Sequence, residues 1–240
     1  MALPKLETPT YMMERPSTGK EIKYRPFLVK EEKLLLLAME ENTATATHQA
    51  VLDLVNACTF GEIGAKTDPM FDIEYAFLKI RQKSISETVT VNLLCQDDNE
   101  TYVETEINLE EVNIMLDEDH NTECTLGKDA NGNDCSITMN YPSVEATLRA
   151  SDETSSVERI FYVLKSCVET IKFGDDIYNV VDISNEELDE FVDSLTQDQF
   201  STLQEFFDTM PKLRHKVEIT NPNTKVKSTV TLEGLSDFLD

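Results

Sequence analysis

Histidine and cysteine are the first residues to consider for chemistry, because both bind zinc and both act as bases or nucleophiles. The histidines are His48, His120 and His215. Only His120 lies within five residues of a cysteine, which is Cys124, and no CxxC pair occurs. Zinc sites usually combine such pairs with closely spaced histidines. We therefore interpret the His120–Cys124 spacing as coincidental and predict no metal site.

The cysteines also fit a disulfide framework poorly, because their number is odd and their spacing is irregular. We predict reduced and mostly buried thiols. The five residues are Cys58, Cys95, Cys124, Cys135 and Cys167.

An Asp- and Asn-rich run resembles the start of a calcium loop. Asp129, Asn131 and Asn133 have the alternating spacing of calcium ligands. However, Gly132 comes too early for the loop glycine, and Asn140 stands where the bidentate glutamate belongs. We predict a turn here and no bound cofactor.

Enzymatic motifs are absent from the sequence. The 7 glycines are isolated, so no phosphate-binding loop or Gly-x-Ser-x-Gly elbow is formed. Glu186, Glu187, Asp189 and Glu190 are typical of a solvated helix face and surround no nucleophile. We predict that the protein is not an enzyme. A metal-dependent enzyme that uses clustered carboxylates is kept as a competing hypothesis.

Apolar side chains cluster near the end of the chain. Core packing is the simpler interpretation, and an interface for another protein is the alternative, because aromatic residues and methionine are enriched in interface cores. The cluster comprises Phe200, Phe206, Phe207 and Met210 on a predicted helix, and Phe238 and Leu239 in the tail.

Hydrophobic periodicity predicts an α+β fold in which amphipathic helices pack with several antiparallel β-hairpins. Hairpins are predicted within residues 10–27, 89–109 and 213–232, and an insertion hairpin has arms at Glu123–Leu126 and Ser136–Tyr141. Helices are predicted at 28–41, Thr47–Cys58, Pro69–Lys83 and Thr154–Ile171, and after capping residues Ser184 and Thr196. A short strand is predicted at Val144–Leu148. These elements suggest three segments, 1–83, 84–150 and 151–240, or one compact unit.

The chain is strongly acidic, with 21 Lys and Arg against 46 Asp and Glu in 240 residues and a formal net charge of -25. Residues 84–210 carry this excess, with 30 acidic and 5 basic side chains. This charge repels phosphate backbones and anionic lipids, so we predict neither nucleic acid nor membrane as a partner. The longest apolar run, 34–39, is too short to span a bilayer, and the opening residues lack a signal peptide, so we expect a cytosolic protein. The acidic middle is either a solvated surface or a docking face for a basic or aggregation-prone partner.

Several motifs together resemble a known family. The resemblance covers roughly residues 1–95 and 155–240, and the motifs resemble those of baseplate hub proteins of T-even-type contractile-tailed phages. They are Pro4–Thr10, Ser17–Lys20, Tyr24–Lys33, Cys58–Gly61, Met70–Tyr75, Phe206–His215 and Leu232–Leu235.

The resemblance implies a non-enzymatic phage protein that is made in the cytoplasm of the infected bacterium and acts in assembly of the central baseplate hub. It would bind other tail proteins, such as hub or tape-measure components, either as a hub subunit in the virion or as an assembly chaperone. Family members often carry CxxC pairs in their hairpins, consistent with zinc knuckles. Here Cys95 stands alone and the last turn is Asn221–Thr224, so no metal is carried over, and residues 115–145 also depart from the pattern. An acidic interaction module unrelated to viruses is the alternative.

The motifs and the apolar cluster nominate residues for partner binding. They are Tyr24, Arg25 and Phe27 at the first hairpin, and Phe206, Phe207, Met210 and Leu213 near the last helix.

Overall fold

The computed structural model describes residues 7–41, 43–128, 132–151 and 155–238. The chain forms two compact units. The first unit consists of Met1–Ala65, Met70–Met115 and Lys212–Asp240, and the second of Lys66–Pro69 and Leu116–Pro211. Helices and small antiparallel sheets confirm the predicted α+β fold. The division into three consecutive segments stays a prediction.

The elements follow one another along the chain as short hairpins and groups of helices. Up to residue 115 they are β1 (Tyr11–Glu14), β2 (Glu21–Tyr24), α1 (Val29–Glu40), α2 (Ala44–Cys58), α3 (Met70–Ser84), β3 (Thr88–Leu94), β4 (Tyr102–Asn108) and β5 (Asn113–Met115). The central elements are β6 (Glu123–Lys128), β7 (Asp134–Met139), α4 (Val144–Ser151), α5 (Ser156–Cys167), β8 (Val168–Phe173), β9 (Asp176–Asn179), a 3-10 turn at Val180–Asp182, α6 (Asn185–Asp193) and α7 (Gln197–Thr209). The chain ends with β10 (Lys212–Thr220), β11 (Lys227–Glu233) and a 3-10 turn at Leu235–Phe238.

The first unit is built around α2 and α3. Val55 on α2, Ala76 and Ile80 on α3, and Phe238 after β11 are all fully buried. Three small sheets surround these helices: β1–β2, β3–β4 and the three-stranded sheet β11–β10–β5. The first hairpin turns at Gly19, whose φ of +67° is costly for a residue with a side chain.

The second unit has one sheet in the order β6–β7–β8–β9, with every neighbouring pair antiparallel. Ile137 of β7, Leu164 of α5, and Leu203 and Phe206 of α7 are among the most deeply buried members of its core. Local signals start the helices: the Ser184 hydroxyl caps α6 and the Thr196 hydroxyl caps α7, each within a capping box. Both predicted caps are confirmed.

Two predictions in this unit are wrong. The strand at Val144–Leu148 is a helix, α4, because the Ser143 hydroxyl accepts a hydrogen bond from the Ala146 N–H at 3.1 Å and so caps a helical turn. The helix predicted to continue to Ile171 ends at Cys167, because Val168–Phe173 pairs with β7 instead. Its predicted start at Thr154 lies outside the described residues.

Most remaining elements match their predictions within a few residues, including the three hairpins and the insertion hairpin. That insertion hairpin is half of a larger sheet, because β8 and β9 extend it. Strands β5 and β9 were not predicted. Within the described ranges, none of the helices combines the length and apolar character that crossing a bilayer requires.

The five cysteines are buried, as predicted. Burial raises the pKa of the Cys58 thiol to about 11 and that of Cys167 to about 12. Thiols with such high pKa values react slowly at neutral pH.

Candidate protein-binding surfaces

The N-terminal candidates lie largely inside the first unit. Tyr24 and Phe27 are buried, with exposed fractions of 4% and 9%. The Phe27 N–H donates to the Ser84 hydroxyl at 3.0 Å, and the Arg25 N–H donates to the Cys58 carbonyl oxygen at 3.0 Å. These bonds fasten the segment between β2 and α1 to the ends of α2 and α3.

Arg25 is also engaged within the unit. Its guanidinium forms an ion pair with the Glu31 carboxylate at 2.9 Å, and the other carboxylate oxygen accepts the Leu28 N–H at 2.8 Å. Burial by itself would raise the pKa of Glu31, but the hydrogen bonds from Arg25 and Leu28 outweigh it and hold the pKa below its ordinary value. The three N-terminal candidates therefore have a structural role, and their contact with a partner stays a prediction.

The C-terminal candidates divide between core and surface. Phe206 and Leu213 are buried, with exposed fractions of 2% and 1%. Phe206 belongs to the second unit and Leu213 to the first. Phe206 lies in the core of the second unit, in agreement with the simpler core-packing interpretation of the cluster, and its contact with a partner stays a prediction. Phe207 and Met210 are half-buried and are the candidates that reach the surface.

An aromatic cluster surrounds Phe206. Its ring lies 5.2 Å from the His120 ring and 5.7 Å from the Tyr141 ring, measured between centroids. The two His120 ring nitrogens bond to the hydroxyls of Thr209 at 2.9 Å and Tyr141 at 3.1 Å. Burial lowers the pKa of His120, so its imidazole is neutral at pH 7 and serves to join the loop to α7.

Phe207 lines a shallow groove on the second unit, with a volume of about 330 Å³. Ile160 and Val163 of α5 form its apolar wall, and Asp208 lies at its edge. Ile160 is 49% exposed. This groove, between α5 and α7, is the surface that best matches the predicted C-terminal interface.

The structure also exposes an apolar face on α1 of the first unit. Leu35 faces the core, whereas Leu34, Leu36 and Leu37 are 61%, 55% and 46% exposed. Successive helical residues are 100° apart, so four leucines in a row cannot all face one core. That rule was the available sequence signal for an exposed apolar face on α1.

A further apolar site lies beside the edge strand β9. Phe173 contacts Tyr178 and Phe191 edge to face, at centroid distances of 6.2 and 6.0 Å. The groove they line has a volume of about 320 Å³, and Asp182 and Glu187 also border it. The sequence signal for β9 was a Gly174–Asp175 turn between two short β-type runs.

A cleft of the first unit has a volume of about 360 Å³ and is mainly apolar. The Glu74 carboxylate reaches it and accepts the Leu235 N–H at 2.9 Å. Burial raises the pKa of Glu74. Other lining residues include Met39, His48, Val51, Leu52 and Met70.

Comparison with known protein families identifies the family of this chain. The model of a family described as T4 bacteriophage base plate protein matches residues 8–240. The chain belongs to this family. No curated protein and no solved structure matches it. The match confirms the resemblance to T4-type phage baseplate proteins and extends through residues 96–154, where the motifs had given no resemblance.

In this baseplate protein side-chain hydrogen bonds join two hairpin turns of the first unit. The Asn221 side-chain amide donates to Asp97 at 3.0 Å and to Asp98 at 2.8 Å, while Asn223 donates to the Thr101 hydroxyl at 3.0 Å. These hydrogen bonds link the β3–β4 turn to the β10–β11 turn. Cys95 is the cysteine of this region, so the donor set does not fit a zinc knuckle.

Metal chemistry finds no support elsewhere in the part of the baseplate protein that the structure describes. There, no group of three or more His, Cys, Asp or Glu is placed to hold a metal ion. The residues Asp129 and Asn131, considered for calcium, lie outside the described ranges, as does Leu239. The described surface of this acidic chain carries apolar grooves and exposed apolar faces on helices and on one edge strand.

Proposed function

We propose that this baseplate protein acts, without enzymatic activity, in assembly of the central hub of the tail baseplate by binding other tail proteins. Membership of the baseplate family over residues 8–240 carries the proposal. The exposed apolar faces on α1, α5 and β9 support it, because contiguous apolar surface on a protein marks sites of association.

The acidic charge is consistent with two forms of this role. A hub subunit that remains in the virion would use its carboxylates to dock onto basic neighbours, since complementary charge aids association. An assembly chaperone would use them to keep an aggregation-prone hub or tape-measure protein in solution within the infected bacterium, since high net charge favours solubility. The proposal covers both forms.

Deletion of the gene from the phage tests the role. We expect infected cells to accumulate tail parts without complete baseplates when viewed by electron microscopy, and plasmid-borne protein to restore them. Normal phage yield after deletion would refute the proposed role.

Mass spectrometry of purified particles separates the two forms. A few copies per particle identify a hub subunit. Absence from the particle, together with recovery of a hub or tape-measure protein by the tagged chain from infected lysate, identifies a chaperone. The matched control is the same pull-down with Phe207→Ala, which alters the groove between α5 and α7.

A further inference from the structure

The sheet of the second unit has two edge strands, β6 and β9, and they differ in how well they are protected from pairing with a further strand. At the β6 edge, a register shift between Thr125 and Gly127 interrupts the strand, and the Gln199 side-chain amide donates to the Leu126 carbonyl oxygen at 2.9 Å. At the other edge, β9 pairs with β8, and within the described chain its backbone forms no other hydrogen bond. Free edge strands pair readily with a further strand.

Apolar side chains flank this free edge on both faces of the sheet. Tyr178 pairs with the buried Ile171 and so lies on the inner face, while Ile177 pairs with Lys172 on the outer face. Ile177 is 62% exposed, Tyr178 is 49% exposed, and Val181 just after the strand is 91% exposed. An added strand covers both faces, because its side chains alternate, whereas a helix would cover one.

The charge around the edge selects the partner. Residues 172–192 contain seven Asp or Glu and one cation, Lys172, which lies opposite Ile177. Of the seven carboxylates, that of Asp189 is already ion-paired with Lys165. Two copies of this edge would bring like charges together, which disfavours self-pairing. A segment rich in Lys or Arg has the complementary charge.

The groove beside β9 fits one side chain of such a segment. Tyr178, Phe173 and Phe191 line its wall, and the carboxylates of Asp182 and Glu187 border it. The Ser184 N–H and hydroxyl both donate to Glu187, which lowers the pKa of Glu187 and keeps it charged. A long basic side chain can lay its aliphatic stem on the rings and bring its cation to the carboxylates.

We propose that β9 is a docking strand that accepts an extended, basic segment of a partner protein as a fifth strand of the sheet, with one Lys or Arg side chain in the aromatic groove. Main-chain hydrogen bonds then supply affinity, and alternate side chains supply specificity. This inference about β9 rests on the proposed function, because it takes the partner to be another tail protein.

A designed peptide tests the docking strand directly. The probe is a fluorescein-labelled ten-residue peptide of alternating Lys and Val, titrated against the full-length protein and followed by fluorescence anisotropy. We expect saturable binding that weakens with added salt. A Glu–Val peptide of equal length should not bind. A peptide with a central proline should bind about tenfold more weakly, because proline removes a donor from the strand.

Matched variants locate the binding. Ile177→Lys places a cation on the edge and should weaken binding at least about tenfold by charge repulsion. Val157→Lys on α5 is the control, because Val157 is 58% exposed and the change in total charge is identical. It should change binding less than about twofold. Val181→Lys is the second edge variant if Ile177→Lys shows an altered circular dichroism spectrum.

Hydrogen exchange with mass spectrometry supplies an independent location. Bound peptide should slow exchange across residues 173–181. No binding, equal weakening by the α5 and edge variants, or protection confined to α1 or α5 would each overturn the proposal.

Complementation separates this inference from the proposed function. If deletion of the gene blocks baseplate formation and Ile177→Lys restores it fully, the docking strand is wrong and the proposed function stands. If deletion of the gene has no effect on baseplate formation, the proposed function fails, whether or not the Lys–Val peptide binds.

Discussion

Phe206 and Phe207 are neighbours in the sequence with different environments in the fold. Phe206 is enclosed by His120, Tyr141 and the core, whereas Phe207 packs edge to face against it at 5.1 Å and lines the outer groove. On a helix the two side chains point 100° apart, so both fit a broad apolar stripe. Phe206 should therefore contribute mainly to stability, and Phe207 mainly to binding.

Alanine substitution should show that separation. We expect Phe206→Ala to lower the free energy of unfolding by about 3–5 kcal/mol, because it leaves a cavity in a closed core. Phe207→Ala should cost about half as much or less, because its side chain is partly solvated. Urea denaturation followed by circular dichroism measures both. Equal losses would contradict the assigned environments.

Asn221 joins two hairpin turns from a fully buried position. Asn221→Ala should lower the free energy of unfolding by about 1–3 kcal/mol, because the Asp97 and Asp98 carboxylates lose a donor and the turn loses an acceptor. Asn92→Ala, at an exposed site on β3, is the matched control and should change stability by less than about 0.5 kcal/mol.

The same variant should alter the acid dependence of stability. Hydrogen bonds from Thr224 and then Asn221 lower the pKa of Asp97, and bonds from Thr101, Glu100 and then Asn221 lower that of Asp98. A lowered pKa in the folded state adds stability at neutral pH that is lost as pH falls below the ordinary value of 3.8. Because the unfolded state is the same in both proteins, the gap between wild type and Asn221→Ala should stay constant near neutral pH and narrow only well below pH 3.8, as the pH falls through the lowered folded-state pKa values. A gap that stays constant in that acid range as well would show that Asn221 acts without these carboxylates.

At the scale of elements, local sequence signals predicted where helices begin, but beyond the hairpins the sequence did not predict which strands pair with one another. Ser184 and Thr196 each start a helix through bonds to residues three positions on, so the sequence alone revealed both. Val168 fits the apolar face of α5 as well as a strand, and pairing with Met139 of β7 decides for the strand. The exposed edge at β9 depends on which strands lie beside it, which periodicity does not encode. Apolar motifs mark cores and interfaces alike, so the sequence did not reveal that the candidates Tyr24 and Leu213 are buried, and their contact with a partner stays a prediction.

The cap of α6 permits a test at this scale. Ser184→Ala removes the hydroxyl that accepts the Glu187 N–H at 3.2 Å, and should lower the free energy of unfolding by about 1 kcal/mol. Ser201→Ala, at an exposed position inside α7, is the control and should be neutral or slightly stabilising, because alanine favours helix interiors.

Because α6 forms one wall of the groove beside β9, Ser184→Ala should also weaken binding of the Lys–Val peptide. Unchanged stability would show that Glu187 retains another acceptor for its N–H.

At the scale of the whole molecule, the connection between the two units is notable. Besides the short segment Lys66–Pro69, the chain leaves the first unit after Met115 and returns at Lys212, and Met115 and Lys212 are antiparallel partners in the β5–β10 pair. Partners in an antiparallel pair lie about 5 Å apart, which a two-residue turn can bridge. The long central segment therefore enters and leaves the first unit at one point of its sheet.

Excision of 116–211 should for this reason leave a folded first unit. With Asn-Gly joining Met115 to Lys212, β5 and β10 become a hairpin with a favourable turn. We expect cooperative thermal unfolding and dispersed amide resonances, because the core around Val55, Ile80 and Phe238 is formed by the first unit's own elements. Some fraying at the start of α3 is expected, since Pro69 loses its bridge to Ser143.

Insertion of Asn-Gly between Met115 and Leu116 in the full chain is the control, because it alters the junction and removes nothing. The excised protein should not bind the Lys–Val peptide, since it lacks β9, while the insertion variant should bind as wild type. A noncooperative excised protein beside a cooperative insertion variant would show that the first unit needs the second in order to fold. A folded excised protein that still bound the peptide would place the basic-segment site on the first unit, and β9 would then not be the docking strand.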